Sequence, residues 1–210
     1  MSHNFWENRH NNINYRHTRI CPQLMAFIDD IKQYQGKPTI LDHGCGTGRV
    51  AKFITDNLFC NLIINDISNI AIHNTIKLLG YKVQNFCGHL EEMEPPTTKF
   101  DFLISHRVLH TIKTESLQKT IQFIEQHSNK IFISARSKSC QEYEHALANY
   151  QQIKQDEFLS LNNKYIHFFD EESLINIFSI IKITELGYFT ELSGIRNKEN
   201  TYIYIIAETK

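Results

Sequence analysis

Short apolar runs alternate with amphipathic stripes along most of the chain. After the run that begins at Thr39, for example, Val50, Phe53, Ile54 and Leu58 recur at positions i, i+3, i+4 and i+8, which is one face of an α-helix. Strands that alternate with helices in this way indicate βα units around a parallel sheet. The predicted strands are the run from Thr39, then Asn61–Asp66, Lys82–Cys87, Phe100–Ser105 and Lys130–Ala135.

The two ends of the chain add further elements. Pro22 stands where a first helical position is expected, and Gly36 terminates the helix that it opens. Ser139 and Glu142 have the spacing of a capping box, which predicts a helix from residue 139 to about residue 150. Further predicted elements are a helix that begins at Asp170–Glu172, with its buried side marked by residues up to Ile181, and two closing strands, Lys182–Leu192 and Thr201–Glu208, around a turn at Arg196–Lys198.

The turn between the first strand and the first helix after it contains three alternating glycines, Gly44, Gly46 and Gly48. Such a turn lets a ligand approach the backbone closely, and the free N–H groups of the first helical turn face that ligand. A dinucleotide-binding fingerprint would need its third glycine at position 49, where the chain has Arg49. A P-loop would need Gly-Lys-Ser/Thr at the end of the turn, and this turn has none.

The run Leu41–Gly48 resembles motif I of the class I S-adenosylmethionine-dependent methyltransferases, in which an acidic residue stands two places before G-x-G-x-G. Asp66 closes the second strand eighteen residues after Gly48. In nucleoside-binding α/β folds, an acid at this place accepts hydrogen bonds from the ribose. Without the glycine turn, Asp66 would be read as a solvated strand end or a cap for the next helix, and the turn favours the ribose.

This resemblance implies a fold, an activity and a site. The fold is a Rossmann-like α/β sandwich with a seven-stranded sheet in the order 3-2-1-4-5-7-6, its last strand antiparallel, and helices on both faces. A helical arm or lid of residues 1–37 would precede a methyltransferase domain of residues 38–210. The activity is transfer of a methyl group from S-adenosylmethionine to an oxygen, nitrogen or sulfur atom of a small molecule. The residues expected at the cofactor are Asp42, Gly44, Gly46, Gly48, Asp66, Ile67, His89, Leu90 and Ser105.

Asp42 and His89 have different expected roles at the cofactor. Asp42 is expected to order the glycine turn and the methionine end of the cofactor. His89 departs from the family, which often has an aspartate here that binds the adenine amino group. The adenine contact is therefore assigned to the His89 imidazole or to the backbone at Leu90.

The fourth strand and the residues after it resemble the family's motif IV region, in which a Phe-Asp strand precedes Val-Leu-His. The Asn/Asp-Pro-Pro-Tyr/Phe of amino-methylating DNA and glutamine enzymes and the Pro-Cys of cytosine C5 enzymes do not occur at this place, which favours a small-molecule acceptor. His106 is the candidate general base. His110 is assigned to packing. His106 and His110 are four residues apart, but no metal is expected, because the sequence offers no further ligands at a suitable spacing.

Composition narrows the possible partners. The 210 residues carry a net charge of -1, so no basic field is expected to bind long nucleic acid. No apolar run reaches the roughly 18 residues of a membrane span. The five scattered cysteines are interpreted as reduced, buried thiols of a cytoplasmic protein. The sequence leaves a monomer and a homodimer equally open.

Two segments outside the motifs are candidates for substrate contact. Arg9, Arg16 and Arg19 on the N-terminal arm could meet an anionic substrate or could simply be solvated. Similar enzymes place substrate-facing residues between the fifth strand and the last α/β unit. There Tyr143 and Tyr150 could stack on an aromatic acceptor or pack in the core, and packing is favoured.

Three other functions stay open. Methylation of a tRNA base or a protein side chain is disfavoured by the neutral net charge. A non-catalytic, methyltransferase-like binding subunit is disfavoured by the intact glycine turn, although His89 leaves room for it. An NAD(P)-dependent oxidoreductase would share the strand, turn and helix but would have a different glycine spacing.

Overall fold

The computed structural model of the protein describes residues 3–11, 20–192 and 199–209. The helices are α1 (His3–Asn11), α2 (Pro22–Ile31), α3 (Arg49–Asn57), α4 (Asn69–Leu79), α5 (Thr114–His127), α6 (Gln141–Asn149) and α7 (Glu171–Asn176). The strands are β1 (Thr39–His43), β2 (Asn61–Asp66), β3 (Gln84–Cys87), β4 (Phe100–His106), β5 (Ser128–Arg136), β6 (Gln151–Lys154), β7 (Glu157–Leu159), β8 (Tyr165–His167), β9 (Ile181–Leu192) and β10 (Glu199–Thr209). Single 3₁₀ turns at Leu90–Glu92 and Leu109–Thr111 follow β3 and β4.

Seven of the described strands form one sheet in the order β3-β2-β1-β4-β5-β10-β9. The first five are parallel, and β10 is antiparallel to both of its neighbours. Once the strands outside this sheet are set aside, this is the expected order 3-2-1-4-5-7-6, so the predicted fold class is confirmed. The parallel strands bring the carboxyl ends of β1, β2, β4 and β5 to one edge, which is where open α/β sheets bind ligands.

The core lies on both faces of the sheet because side chains alternate along each strand. Ile40 packs on the face covered by α2 and α3, whereas its neighbour Leu41 packs on the face covered by α5. Phe27 of α2 contacts the rings of Phe102 and Phe132, with centroids 6.0 and 5.6 Å apart. Helix α2 therefore shares the core of the sheet, and the division of the chain at residue 38 stays a prediction.

A small antiparallel sheet, β6-β7-β8, was not expected from the sequence. Its strands have only three or four residues each, and every residue of β6 is exposed, so no alternating pattern marks them. Together with α6 it encloses a separate cluster that includes Phe158 and Phe168. Tyr143 and Tyr150 pack against this cluster, which is the packing role that the sequence favoured for them.

Two predicted helix boundaries are wrong. The capping box at Ser139 does not form, because the Ser139 hydroxyl bonds to Ser137 Oγ at 2.7 Å and Glu142 pairs with Arg136. Helix α6 consequently begins at Gln141. Helix α7 ends at Asn176, because the N–H groups of the chain that follows bond to the carboxylate of Glu125.

The cysteines are less uniformly buried than expected. None of the five, all of which lie in the described ranges, forms a disulfide. Cys21, Cys45 and Cys140 are buried, but Cys87 is exposed because it ends the edge strand β3. In the part of the chain that the structure describes, every helix is too short or too polar to cross a membrane. The predicted turn at 196–198 lies outside the described residues.

Candidate active site

The glycine turn leaves the carboxyl end of β1 and leads directly into α3. The N–H groups of Gly44 and Cys45 both donate to the carbonyl of Asn65, at 2.8 and 2.9 Å, which ties the turn to the end of β2. Gly44 has φ +69°, and a Cβ at this position would lie 2.4 Å from Val108 Cγ2. A Cβ at Gly48 would lie 2.9 Å from Thr75 Oγ1. Both positions therefore require glycine for the turn to pack against its neighbours.

Asp66, at the end of β2, is tied to the same turn. Its Oδ2 accepts the Gly46 N–H at 2.9 Å, and its Oδ1 accepts the Ser68 N–H at 2.9 Å. Each carboxylate oxygen keeps a second lone pair that can accept a further hydrogen bond. Burial raises the pKa of Asp66, which lines a cavity together with Ile67, His89 and Leu90. We call the glycine turn 44–48 and Asp66 the cofactor side of this cavity.

Three of the expected cofactor residues, Asp42, Gly48 and Ser105, do not line the cavity. Asp42 is buried beneath the turn, and burial followed by the charge of Asp66 raises its pKa to about 7. Ser105 is fully buried, and its hydroxyl lies 3.0 Å from His43 Nδ1. His43 does line the cavity, so Ser105 contacts the site through that imidazole. Burial lowers the pKa of His43 to about 4, which keeps the ring neutral.

His106 ends β4, lines the cavity and is held on one side of its ring. Its Nδ1 lies 3.0 Å from Ser134 Oγ, and its Nε2 lies 3.8 Å from Glu191 Oε1. Burial, with smaller effects of Arg49 and Arg107, lowers the pKa of His106 well below its usual value, so the ring is neutral at physiological pH. A neutral imidazole can accept a proton.

Cys21, His106 and Glu191 place one donor atom each within 4.8 Å of one another. These are the donor types of a zinc site. The other oxygen of Glu191, however, pairs with the Arg107 guanidinium at 2.7 Å. The carboxylate is therefore already neutralised by a cation of the protein.

Several basic side chains converge beyond the ends of β4 and β5. Arg136 pairs with Glu142 at 2.7 Å, and Lys164 lies 3.7 Å from the second oxygen of the same carboxylate. The guanidinium groups of Arg107 and Arg136 lie 4.7 and 4.9 Å from the centroid of the Tyr202 ring. We call the following residues the acceptor side of the cavity: His106, Arg107, His110, Arg136 and Lys164.

The family model for a methyltransferase domain matches residues 12–179, which is most of the chain. The chain belongs to this methyltransferase family. It is an S-adenosylmethionine-dependent methyltransferase, and S-adenosylmethionine is its cofactor. The predicted family, enzyme class and cofactor are thereby confirmed. A search of curated proteins finds no match.

Solved structures agree with this methyltransferase in fold. An S-adenosylmethionine-dependent methyltransferase from Methanosarcina mazei is 16% identical, with a TM-score of 0.72 over 90% of this chain and 98% of that one. The N-methyltransferase NodS from Bradyrhizobium japonicum, in complex with S-adenosylhomocysteine, is 11% identical, with a TM-score of 0.67 over 99% and 98%. A methyltransferase from Anabaena variabilis is 13% identical, with a TM-score of 0.69 over 99% and 93%.

The N-terminal helix of the methyltransferase lies against α4 and lines the cavity. The Glu7 carboxylate accepts the Asn69 N–H at 2.8 Å, and the His10 carbonyl accepts the Asn74 amide at 3.2 Å. The His10 ring reaches the glycine turn, 3.5 Å from where a Cβ on Gly46 would lie. Arg9 lines the cavity, whereas Arg16 and Arg19 lie outside the described residues. Closure of this arm over a substrate stays a prediction.

Several residues that line the cavity were not predicted from the sequence, among them Arg136, Lys164 and His43. Arg136 could have been found, because it directly follows the apolar run of the fifth strand, and residues at such ends face ligands. Lys164 carries no comparable signal, because it lies in a turn of the unexpected small sheet. His43 lies within the glycine motif, but the motif is defined by its glycines and its acid and assigns no role to this side chain. In the structure the His43 side chain lines the cavity.

Proposed function

We propose that the protein transfers the methyl group of S-adenosylmethionine to an oxygen, nitrogen or sulfur atom of a small molecule. One observation carries this proposal: a single cavity extends from Asp66 and the glycine turn to His106 and the acceptor side. Cofactor and acceptor would therefore meet near the end of β4. Trp6 and His10 of α1 line the same cavity, which favours a small acceptor over a polymer.

We propose roles for the cofactor residues from their contacts. Asp66 would accept the ribose hydroxyls with its remaining lone pairs, beside Ile67. The Gly44 and Gly46 backbone would lie close to the cofactor, with His89 and Leu90 on the adenine side. Gly48 and Asp42 would act indirectly by shaping the turn, and Ser105 by orienting His43. The cavity fits such a group, because polar acceptors and a glycine backbone lie together at one of its ends.

The chemistry asked of the protein is placement, exclusion of water and removal of a proton. The cofactor supplies a methyl group that its sulfonium already activates. The walls of the cavity would hold the acceptor atom in line with the methyl–sulfur bond, and such positioning can supply much of the acceleration. His106, as a neutral imidazole, would take the acceptor's proton where one must be lost.

The test measures binding of S-adenosylhomocysteine and release of labelled methyl product with small molecules, tRNA and protein extracts as acceptors. We expect tight binding of the cofactor product and transfer to small molecules alone. Replacement of His106 by Gln should lower kcat by about 10²-fold or more while affinity for S-adenosylhomocysteine is kept. Transfer to tRNA or protein, with none to small molecules, would refute the acceptor class.

A further inference from the structure

The cavity is strongly basic although the chain is not. Its lining contains six cationic side chains but, among the described residues, only two carboxylates, Asp66 and Glu91. Glu142 and Glu191 lie behind the lining and offset part of this excess. The whole chain has a net charge of -1, so the positive charge is a local feature. The six are Arg9, Arg49, Arg107, Lys113, Arg136 and Lys164.

Arg107, Arg136 and Lys164 lie away from the cofactor side, whereas Arg49 directly follows the glycine turn. Arg136 ends β5, and two strands, β1 and β4, lie between β5 and β2 in the sheet. Because neighbouring strands are about 4.8 Å apart, the end of β5 lies roughly 14 Å from that of β2, which carries Asp66. The cofactor's sulfonium is itself positively charged, so it cannot offset the positive charge of this region. The methionine carboxylate of the cofactor could neutralise one basic group at most.

Three buried polar atoms at the acceptor side lack hydrogen-bond partners among the described residues: Arg136 Nε, His110 Nδ1 and His106 Nε2. Arg136 and His110 are residues that are more than nine-tenths buried and line the cavity. A buried guanidinium N–H without a partner is costly, because it has lost the water that would solvate it. An oxyanion in the cavity beside this guanidinium would offset the charge that burial leaves poorly solvated.

The position of Lys164 is built by the small sheet. The turn between β7 and β8 is closed by two hydrogen bonds between Ser160 and Lys164. The Ser160 N–H donates to the Lys164 carbonyl at 2.9 Å, and the Lys164 N–H donates to the Ser160 hydroxyl at 3.1 Å. Glu157 of the same sheet anchors it to α5 through Thr114 and accepts the Tyr165 hydroxyl at 2.7 Å. The small sheet thus brings Lys164 to the wall of the cavity.

We propose that the methyl acceptor is an anion, and that its carboxylate or phosphate group binds to Lys164, Arg136 and His110. This inference rests on the proposed function, because it assigns the substrate class of the same site. The oxyanion would pair with the Arg136 guanidinium and with the Lys164 ammonium, both of which belong to residues that line the cavity. Glu142 would hold both basic side chains in place from behind.

The test uses the full chain saturated with S-adenosylhomocysteine. Sodium sulfate and sodium acetate are compared with sodium chloride at equal ionic strength, and Tm is measured. We expect sulfate or acetate to raise Tm, and Lys164→Met to weaken the apparent anion affinity about tenfold, as loss of one charge-assisted hydrogen bond does. Because sulfate stabilises folded proteins in general, only the part of the Tm rise that Lys164→Met loses is counted. A larger such part in sulfate indicates a phosphate-bearing acceptor, and a larger one in acetate indicates a carboxylate.

Lys154→Met is the matched control. Lys154 lies in the same small sheet and pairs with Glu115 at 2.5 Å, outside the cavity. This variant should respond to the anions as the wild type does. Lys164→Gln, which keeps a polar tip, repeats the measurement if the methionine variant fails to fold.

Two outcomes would overturn the inference. One is a Tm rise in sulfate and in acetate that is the same in the wild type and in Lys164→Met. The other is a parallel loss of S-adenosylhomocysteine affinity in Lys164→Met, because the basic residues would then bind the cofactor's own carboxylate.

A transfer assay separates this inference from the proposed function. Small carboxylic acids and their primary amides are offered in pairs as methyl acceptors. Transfer to the acids that depends on Lys164 supports both proposals. Equal transfer to acids and amides leaves the proposed function standing and overturns the anionic acceptor. Transfer to tRNA or protein alone contradicts the proposed function, even if sulfate binds at Lys164.

Discussion

The cofactor side and the acceptor side of the cavity are built in different ways. On the cofactor side, the backbone of the glycine turn and one carboxylate, Asp66, are joined by short hydrogen bonds within residues 44–68. On the acceptor side, side chains from β5 and the turn before β8 share the carboxylate of Glu142, and Arg107, which follows β4, pairs with Glu191. The first is local in sequence and largely made of backbone. The second is assembled from distant segments and made of charged side chains.

This difference indicates which side can change. A turn packed against neighbours that a Cβ would strike tolerates few substitutions. Lys164, by contrast, lies on the separate small sheet and can be altered without disturbing the main core, since that sheet has its own cluster of buried residues. We expect the cofactor side to respond to changes of shape and the acceptor side to changes of charge.

Gly44→Ala should have the largest effect. The new Cβ would lie 2.4 Å from Val108 Cγ2 at a residue with φ +69°. Backbone strain and overpacking together should lower the free energy of unfolding by about 2–4 kcal/mol, measured by urea denaturation. Gly36→Ala is the matched control, because Gly36 also has a positive φ, +98°, but nothing lies within 4 Å of its Cβ.

The double variant Gly44→Ala/Val108→Ala sharpens this test. Removal of the Val108 methyl groups should restore much of the lost stability, leaving the strain that Gly36→Ala also shows. If Gly44→Ala and Gly36→Ala were equally destabilised, contact with Val108 would not be the reason that this turn needs glycine.

Asp66→Ala should weaken S-adenosylhomocysteine binding about 10- to 100-fold by calorimetry, because the variant loses charge-assisted hydrogen bonds. It also leaves the Gly46 and Ser68 N–H groups without their partner, so a lower Tm is expected as well. Asp56→Ala serves as the control, since Asp56 is an exposed acid that pairs with Lys52 on α3. Unchanged affinity in Asp66→Ala would remove the ribose role.

The same contrast explains what the sequence could predict. The strand order, the glycine turn and Asp66 follow from local signals: apolar runs, helical stripes and a motif within some 25 residues. Asp42, Gly48 and Ser105 were placed at the right end of the sheet, but the structure puts a layer of backbone or the His43 ring between them and the cavity. The position of a residue near a motif in the sequence predicts which edge of the sheet it lies at. Whether its side chain lines the cavity depends on packing, which the motif does not record.

The contribution of Lys164 to the acceptor side could not be predicted, and the reason is physical. Lys164 reaches the cavity only because strands of three residues, β7 and β8, pair across a tight turn. Pairing of this kind depends on contacts with α5 and the Leu109–Thr111 turn, which no local pattern records. The capping box at Ser139 failed similarly, because Arg136 took the Glu142 carboxylate.

A rise in pH should weaken anion binding at the acceptor side without changing binding at the cofactor side. Burial lowers the pKa of Lys164 from 10.5 to about 8. The ammonium is therefore largely charged at pH 7 and loses its proton as pH rises through 8, so sulfate affinity should fall by about tenfold in total as pH rises above that value, the same loss that Lys164→Met shows. The other groups facing Lys164 keep their charge in this range: Glu142, whose pKa is lowered, and the guanidinium groups of Arg9, Arg107 and Arg136.

Lys164→Arg is the decisive comparison, because a guanidinium stays charged throughout. Its sulfate affinity should be nearly flat from pH 6 to pH 9, whereas S-adenosylhomocysteine affinity should show no such difference between the two proteins. A falling profile that persists in Lys164→Arg would assign the pH effect to another group.

Ser105→Ala should have the smallest effect, and it asks whether a residue that does not line the cavity still belongs to the cofactor side. Removal of the hydroxyl leaves His43 Nδ1 without its partner at 3.0 Å, at a cost of about 1 kcal/mol of stability. If Ser105 positions His43, the imidazole resonances of His43 should shift in NMR spectra and S-adenosylhomocysteine affinity should fall a few-fold. Ser134→Ala, which removes the partner of His106 on the acceptor side, should leave that affinity unchanged. A lower Tm in Ser105→Ala with unaltered His43 resonances and affinity would show that Ser105 serves packing alone, and the cofactor side would then end at the backbone of the turn.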